Sequence, residues 1–215
     1  TDYGSFVELE DGDEAPPALH HGAVTFDISR GRLVVFGGAT HPFTQDGASN
    51  ALWEWDDRAW VELTARPGQG PQARAFHEMV YDETEGVSYV FGGVLADGSF
   101  SDELWSWDGT SWEDVRQVGS KPSARKSLNM AYDVKHKKVV LFGGEDPSGE
   151  CNTTSDDDGL GTCDETWLFQ MNAENGHGAW TKINYGTNAV AGQDYPLGRI
   201  KPKMTYDSER KVTML

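Results

Sequence analysis

Short apolar runs alternate along this chain with turns rich in Gly, Asp and Ser. Leu33-Val-Val-Phe36, Ser88-Tyr-Val-Phe91 and Val139-Val-Leu-Phe142 are β-branched or aromatic and too short for helices, so they predict buried strands. Upstream segments such as Glu78–Tyr81 predict a partner strand for each run. Asp27-Ile-Ser-Arg-Gly31 and Asp82-Glu-Thr-Glu-Gly86 read as the hairpin turns between the two. An aromatic strand follows each pair: Leu52-Trp-Glu-Trp-Asp56, Leu104-Trp-Ser-Trp-Asp108 and Thr166-Trp-Leu-Phe169. A second Trp then comes at 60, 112 and 180, and Trp107-Asp-Gly-Thr-Ser-Trp112 predicts a tight turn before a fourth strand. The longest helical candidate, Val115–Lys126, is broken by Gly119 and Pro122, so the pattern predicts an all-β fold.

These segments repeat at fixed offsets. The apolar runs close on Gly37-Gly38, Gly92-Gly93 and Gly143-Gly144, and ten residues before each pair stands Asp27, Asp82 or Asp133. Each Asp follows an aromatic residue, and eleven residues before it stands Pro16, Pro71 or Pro122. A fourth copy begins with Pro196, Arg199, Tyr206 and Asp207 at the same spacings. The Asp markers lie 55, 51 and 74 residues apart, a period near 50 stretched once by an insertion. Glycine pairs at fixed places imply positive φ or a close backbone approach. The Trp residues predict packing between neighbouring units.

The double glycine, the aromatic-Asp turn and the spaced Trp resemble the kelch-repeat family, of the bacterial or galactose-oxidase-like kind, over nearly the whole chain. The resemblance implies an all-β kelch-type β-propeller in which each repeat is one four-stranded blade around a central channel. About three complete blades are expected, with partial blades at both termini. The expected divisions are 1–14 (last strand of a preceding blade), 15–66, 67–118, 119–190 with the insertion, and 191–215 (start of the next blade). The remainder of the ring is expected from the same parent chain or from a second chain.

Composition narrows the partners. Eighteen basic against 35 acidic residues give a net charge of −17, which repels phosphate backbones and argues against nucleic acid. No apolar run approaches the length of a membrane span. The two cysteines, Cys151 and Cys163, bracket the insertion and predict a disulfide across a surface loop; this fits an extracellular, periplasmic or cell-surface location. The same loop carries Asp156 and Asp158 among further acidic residues. Two readings stand, a calcium site built on those aspartates and a solvated acidic loop.

Arg74, Arg125 and Arg199 stand three residues after the repeat Pro, where the first copy has Leu19. By the resemblance, such arginines face the channel mouth and hold an anionic ligand; alternatively each pairs with a carboxylate of a neighbouring blade. His77 and Asn129, with Lys203, fall in or near the innermost strands and are channel candidates. The function expected is a secreted or cell-surface module binding a protein or glycan ligand, or serving as a scaffold. The alternative is a carbohydrate-acting propeller enzyme, oxidase- or epimerase-like. The copper-radical oxidase chemistry of such relatives needs a cysteine cross-linked to tyrosine, and both cysteines here sit in the acidic insertion.

Overall fold

The computed structural model describes residues 15–155, 161–172, 175–184 and 196–215. In chain order the strands are β1 (Ala23–Asp27), β2 (Arg32–Phe36), β3 (Leu52–Trp55), β4 (Trp60–Glu62), β5 (Arg74–Ala75), β6 (Glu78–Asp82) and β7 (Val87–Phe91). Next come β8 (Val94–Leu95), β9 (Leu104–Trp107), β10 (Trp112–Asp114), β11 (Gln117–Val118), β12 (Asn129–Asp133), β13 (Lys138–Phe142) and β14 (Glu145–Asp146). The last are β15 (Asn152–Ser155), β16 (Gly161–Cys163), β17 (Thr166–Asn172), β18 (His177–Lys182), β19 (Thr205–Asp207) and β20 (Val212–Met214). No helix occurs among the described residues.

Three antiparallel sheets repeat one plan. They are β1-β2-β3-β4, then β6-β7-β9-β10, then β12-β13-β17-β18, the last joined by β11 in parallel to β18; β19 and β20 pair as the start of a fourth. The first strands of successive sheets are neighbours, β1 with β6, β6 with β12 and β12 with β19, so they form the innermost layer. The segment expected as a preceding last strand, residues 1–14, lies outside the described residues.

The Asp marker builds the hairpin turn in every copy. The Asp82 carboxylate accepts the amides of Thr84 and Glu85, and Asp207 accepts those of Glu209 and Arg210. The fourth residue after the Asp has positive φ: Gly31, Gly86, Lys137 and Lys211. Lysine there carries a left-handed penalty that glycine avoids. Lys137→Gly is therefore expected to raise stability by about 0.5–1 kcal/mol, read as a higher midpoint in urea. The preceding aromatic explains its own repetition. The Tyr81 hydroxyl donates to Ser29, Tyr132 donates to Thr84, and Tyr206 accepts from the amide of Lys135, each reaching the turn of the sheet before it.

The Trp residues pack between blades as the spacing predicts. Trp112 lies against Phe36 of the preceding blade at 5.0 Å between ring centroids, and Trp180 lies against Phe91 at 5.4 Å. Two apolar clusters result, one shared by the first and second blades and one by the second and third.

Both glycines of each pair have positive φ. The second donates its amide to the next blade, Gly38 to the Arg74 carbonyl at 2.9 Å, Gly93 to Arg125 at 2.9 Å and Gly144 to Arg199 at 3.1 Å. The first is crowded by the same carbonyl, since a Cβ on Gly92 would stand 2.6 Å from the Arg125 oxygen. Left-handed geometry and close approach both hold at this one place.

The insertion is a small sheet rather than a loop. β14 and β15 flank β16, and Cys151 and Cys163 form the expected disulfide, with Cα atoms 5.0 Å apart. Both cysteines are buried, not on the surface, because Cys163 donates its amide to Gly144 and Cys151 donates its amide to the Asp146 carboxylate. Replacing both cysteines with serine is expected to lower stability by about 3 kcal/mol in the loop-entropy picture, and reductant should then no longer shift the variant's melting temperature. Asp156 and Asp158 lie outside the described residues.

Candidate functional site

At one end of the ring the chain runs into each innermost strand and leaves each Gly-Gly pair. Arg74 and Arg125 stand here, but neither guanidinium faces solvent; both residues are 0% exposed. Arg74 pairs with Glu103 at 2.5 Å and donates to Ser101 and to the Gly92 carbonyl. Arg125 pairs with Glu165 at 2.8 Å and donates to Ser123 and to the Gly143 carbonyl. The carboxylates belong to the arginine's own blade, not to a neighbouring one. Each arginine thus binds its own Gly-Gly turn by side chain and the preceding blade's turn by its carbonyl. Burial pulls both guanidinium pKa values down against the opposing pull of the carboxylates.

The same glutamates accept the indole N–H of Trp105 and Trp167. In the first blade Leu19 replaces the arginine and Ala51 the glutamate, and the indole nitrogen of Trp53 is buried with no partner. A cavity of about 170 Å³ lined by Leu19, Ala51 and Trp53, among others, lies there. Glu-x-Trp after Arg, and Ala-x-Trp after Leu, was the signal in the sequence for this pairing.

Arg199 is exposed, with its Nε donating to the Leu197 carbonyl. His77 is buried between the first and second blades, its Nε2–H donating to the Phe36 carbonyl. Burial first, and the Arg74 charge second, depress its pKa to about 3, so the ring is neutral. Asn129 ties three innermost strands together. Its amide donates to Glu78 at 2.8 Å and its oxygen accepts the Met204 amide at 2.8 Å. Burial raises the Glu78 carboxyl above its usual range, against the amide of Met79, the charge of Lys203 and the Asn129 bond.

Sequence reasoning missed a collar. The residue five positions after each repeat Pro is left-handed and not glycine: His21 (φ 59°), Phe76 (61°), Ser127 (55°) and Lys201 (49°). The Phe76 amide donates to the His21 carbonyl at 2.9 Å, Ser127 to Phe76 at 2.9 Å, and Lys201 to Ser127 at 2.7 Å. One backbone chain therefore runs from blade to blade around the channel. The side chains share no chemistry, so no residue type marks the position. Phe76 stacks on His21 at 4.1 Å, and the ammonium groups of Lys126 and Lys201 stand 5.8 and 6.0 Å from its ring centre.

Outside the collar, the loop 40–48 is braced by Thr40 and His41 donating to the Asp46 carbonyl and by a bond between His21 Nε2 and the Pro42 carbonyl. It presents Phe43 84% exposed, the most exposed large apolar side chain among the described residues.

Four-stranded antiparallel blades, stitched at Gly-Gly turns and packed through tryptophan, define a β-propeller. The chain belongs to the kelch-repeat family described as the KLHDC2/KLHL20/DRC7 Kelch-repeats domain, whose model matches residues 5–205. Among curated proteins it is similar to Multiple epidermal growth factor-like domains protein 8 of Homo sapiens, 31% identical over 66% of this chain and 5% of that protein. It is also similar to Host cell factor of Drosophila melanogaster, 27% identical over 60% of this chain and 8% of that protein. The chain thus spans less than a tenth of the length of these curated relatives. The solved structure of YjhT shares the fold, with a TM-score of 0.56 and 18% identity over 88% of this chain and 56% of that one. Among the described residues no helix is long and apolar enough to cross a membrane.

Proposed function

We propose that this chain is a protein-binding module, and that its binding surface is the end of the ring carrying the collar. The observation that carries the reading is Phe43, a large apolar side chain held in water by a braced loop. A rigid scaffold presenting loops at one end is where binding concentrates. Exposed aromatic anchors of this kind dominate protein interfaces. Membership of the kelch family supports the same reading.

Arg74 and Arg125 serve this surface indirectly, by fixing the turns beneath it, while Arg199 is accessible to a ligand. A secreted or cell-surface setting is part of the proposal and rests on the buried Cys151–Cys163 disulfide. The test is retention of partners from the source lysate by immobilised full-length protein and by its Phe43→Asp variant. At least one protein should be held by the first and lost by the second. Equal retention by both would remove the proposed surface.

A further inference from the structure

The outer edges of the second and third blades differ. In the third, the linker that leaves the second blade forms β11 and lies parallel along β18, pairing Gln117 with Gly178 and Val118 with Ala179. The Gln117 side-chain carbonyl accepts the indole N–H of Trp180 at 2.7 Å, and its amide nitrogen donates to the Asp102 carbonyl at 3.0 Å. A segment of this chain thus covers the last strand of the third blade and satisfies its outer Trp.

The second blade has neither. Its sheet ends on β10, with no strand beside it among the described residues. The linker that leaves the first blade starts alike, since Leu63 donates its amide to Leu52 as Val115 does to Leu104. Two residues on, Ala65 stands where Gln117 stands. It lies at the matching Trp, because a Cβ on Gly70 would stand 2.8 Å from the Trp112 ring and 3.0 Å from the Ala65 methyl. Trp105 and Trp107 give their indole N–H groups to Glu103 and Glu54, but that of Trp112 has no acceptor among the described residues. A groove of about 480 Å³ opens there, walled by Leu63, Trp105, Trp107 and Trp112, with Gln69 and Ser111 exposed beside it. Asp114 stands opposite Trp105 in register, exposed and without an ion pair among the described residues.

We infer that this groove binds an extended peptide segment presenting a glutamine or asparagine, with an apolar and a basic residue next to it. The side-chain carbonyl accepts the Trp112 indole N–H as Gln117 accepts that of Trp180. The apolar neighbour covers the half-buried Trp105, and the basic one meets Asp114, drawn by a chain whose net charge is −17. Trp suits such a contact because it joins a large apolar face to one polar handle. Thr110 and Ser111 hold the places of Gly178 and Ala179, and their amides already donate to Asp108. Recognition therefore falls to the indole and its aromatic wall rather than to a backbone ladder. The groove is on the outermost strand of its blade, away from the collar.

The test is titration of the isotope-labelled protein with the capped peptide Val-Arg-Gln-Val-Gly-Ser, which copies residues 115–120. The Trp112 indole N–H resonance should move downfield and saturate, with a midpoint near or below about 1 mM. Alanine in place of the peptide's glutamine, or Trp105→Ala in the protein, should weaken binding about tenfold. Ala65→Gln is the converse variant. Its own side chain should take the site, so the Trp112 resonance is displaced before any peptide is added and the peptide no longer binds; a melting temperature at or above the parent's shows that it is folded. Phe43→Asp should bind the peptide as the parent does, which separates this groove from the collar end. An unmoved Trp112 resonance, or equal binding by the alanine peptide, would overturn the assignment. A Trp112 shift with cellohexaose and none with the peptide would overturn it in favour of a glycan.

Discussion

Replacing Arg125 with leucine is expected to destabilise the protein by about 3–5 kcal/mol, a fall in melting temperature of roughly 6–20 °C for a chain of this size. The cause is the carboxylate left behind. Glu165 is buried and accepts from Arg125, Lys182 and Trp167. Removing the guanidinium strips its main buried partner and orphans the Gly143 carbonyl. Burial alone would raise the Glu165 pKa, but the bonds from Lys182, Arg125 and Trp167 outweigh it and hold the carboxyl below its usual range. A depressed folded pKa contributes stability above the unfolded value and loses it as pH falls through the folded one. The gap between parent and variant should therefore be full at neutral pH and narrow below about pH 4. A gap independent of pH, or smaller than about 1 kcal/mol, would show that the pair does not hold the blade. The first blade supplies the internal control. There leucine and alanine stand in place of the pair, and the blade keeps its four strands. Arg125→Leu combined with Glu165→Ala should accordingly recover part of the loss, since an apolar replacement of both partners leaves no buried charge.

Gly92→Ala is the second large effect, expected at about 2–5 kcal/mol. Its φ of +75° is left-handed, and the added methyl would meet the Arg125 carbonyl at 2.6 Å and a Leu128 methyl at 2.9 Å. The carbonyl is held by the Gly93 amide and cannot retreat without opening the contact between the second and third blades. Denaturation of the variant should show a lower midpoint and faster unfolding. Gly31→Ala tests the alternative that left-handed geometry alone is responsible. Its φ is +64° but nothing lies within 4 Å of its missing methyl, so its loss should stay near 1 kcal/mol. Equal losses at the two glycines would dismiss the close approach as a cause.

Both effects arise at positions whose type was visible in the sequence but whose partners stand at no fixed spacing from them. Arg74 and Arg125 stood out by their offset from proline. Their glutamates lie 29 and 40 residues further on, a separation changed by the insertion, so no fixed spacing points from one to the other. The buried Glu54 was likewise unmarked. It receives both Arg30 terminal nitrogens and, from the next blade, the Trp107 indole N–H. Cysteines in an acidic stretch read as surface residues until β14 and β16 enclosed them.

The sequence by itself determined the strands, the hairpin turns, the repeat and its propeller class, because those depend on alternation, turn residues and spacing along one chain. It also determined the pairing of the two cysteines, having no others to offer. Only the tertiary structure decided which face each conspicuous residue serves. Carboxylates of their own blades and the carbonyls of the Gly-Gly turns hold the arginines inward against the cost of desolvation. Blade-to-blade amide links forced His21, Phe76, Ser127 and Lys201 into one left-handed collar. That collar has no residue type in common, since its conformation is imposed by neighbours distant in sequence rather than by the side chains it displays.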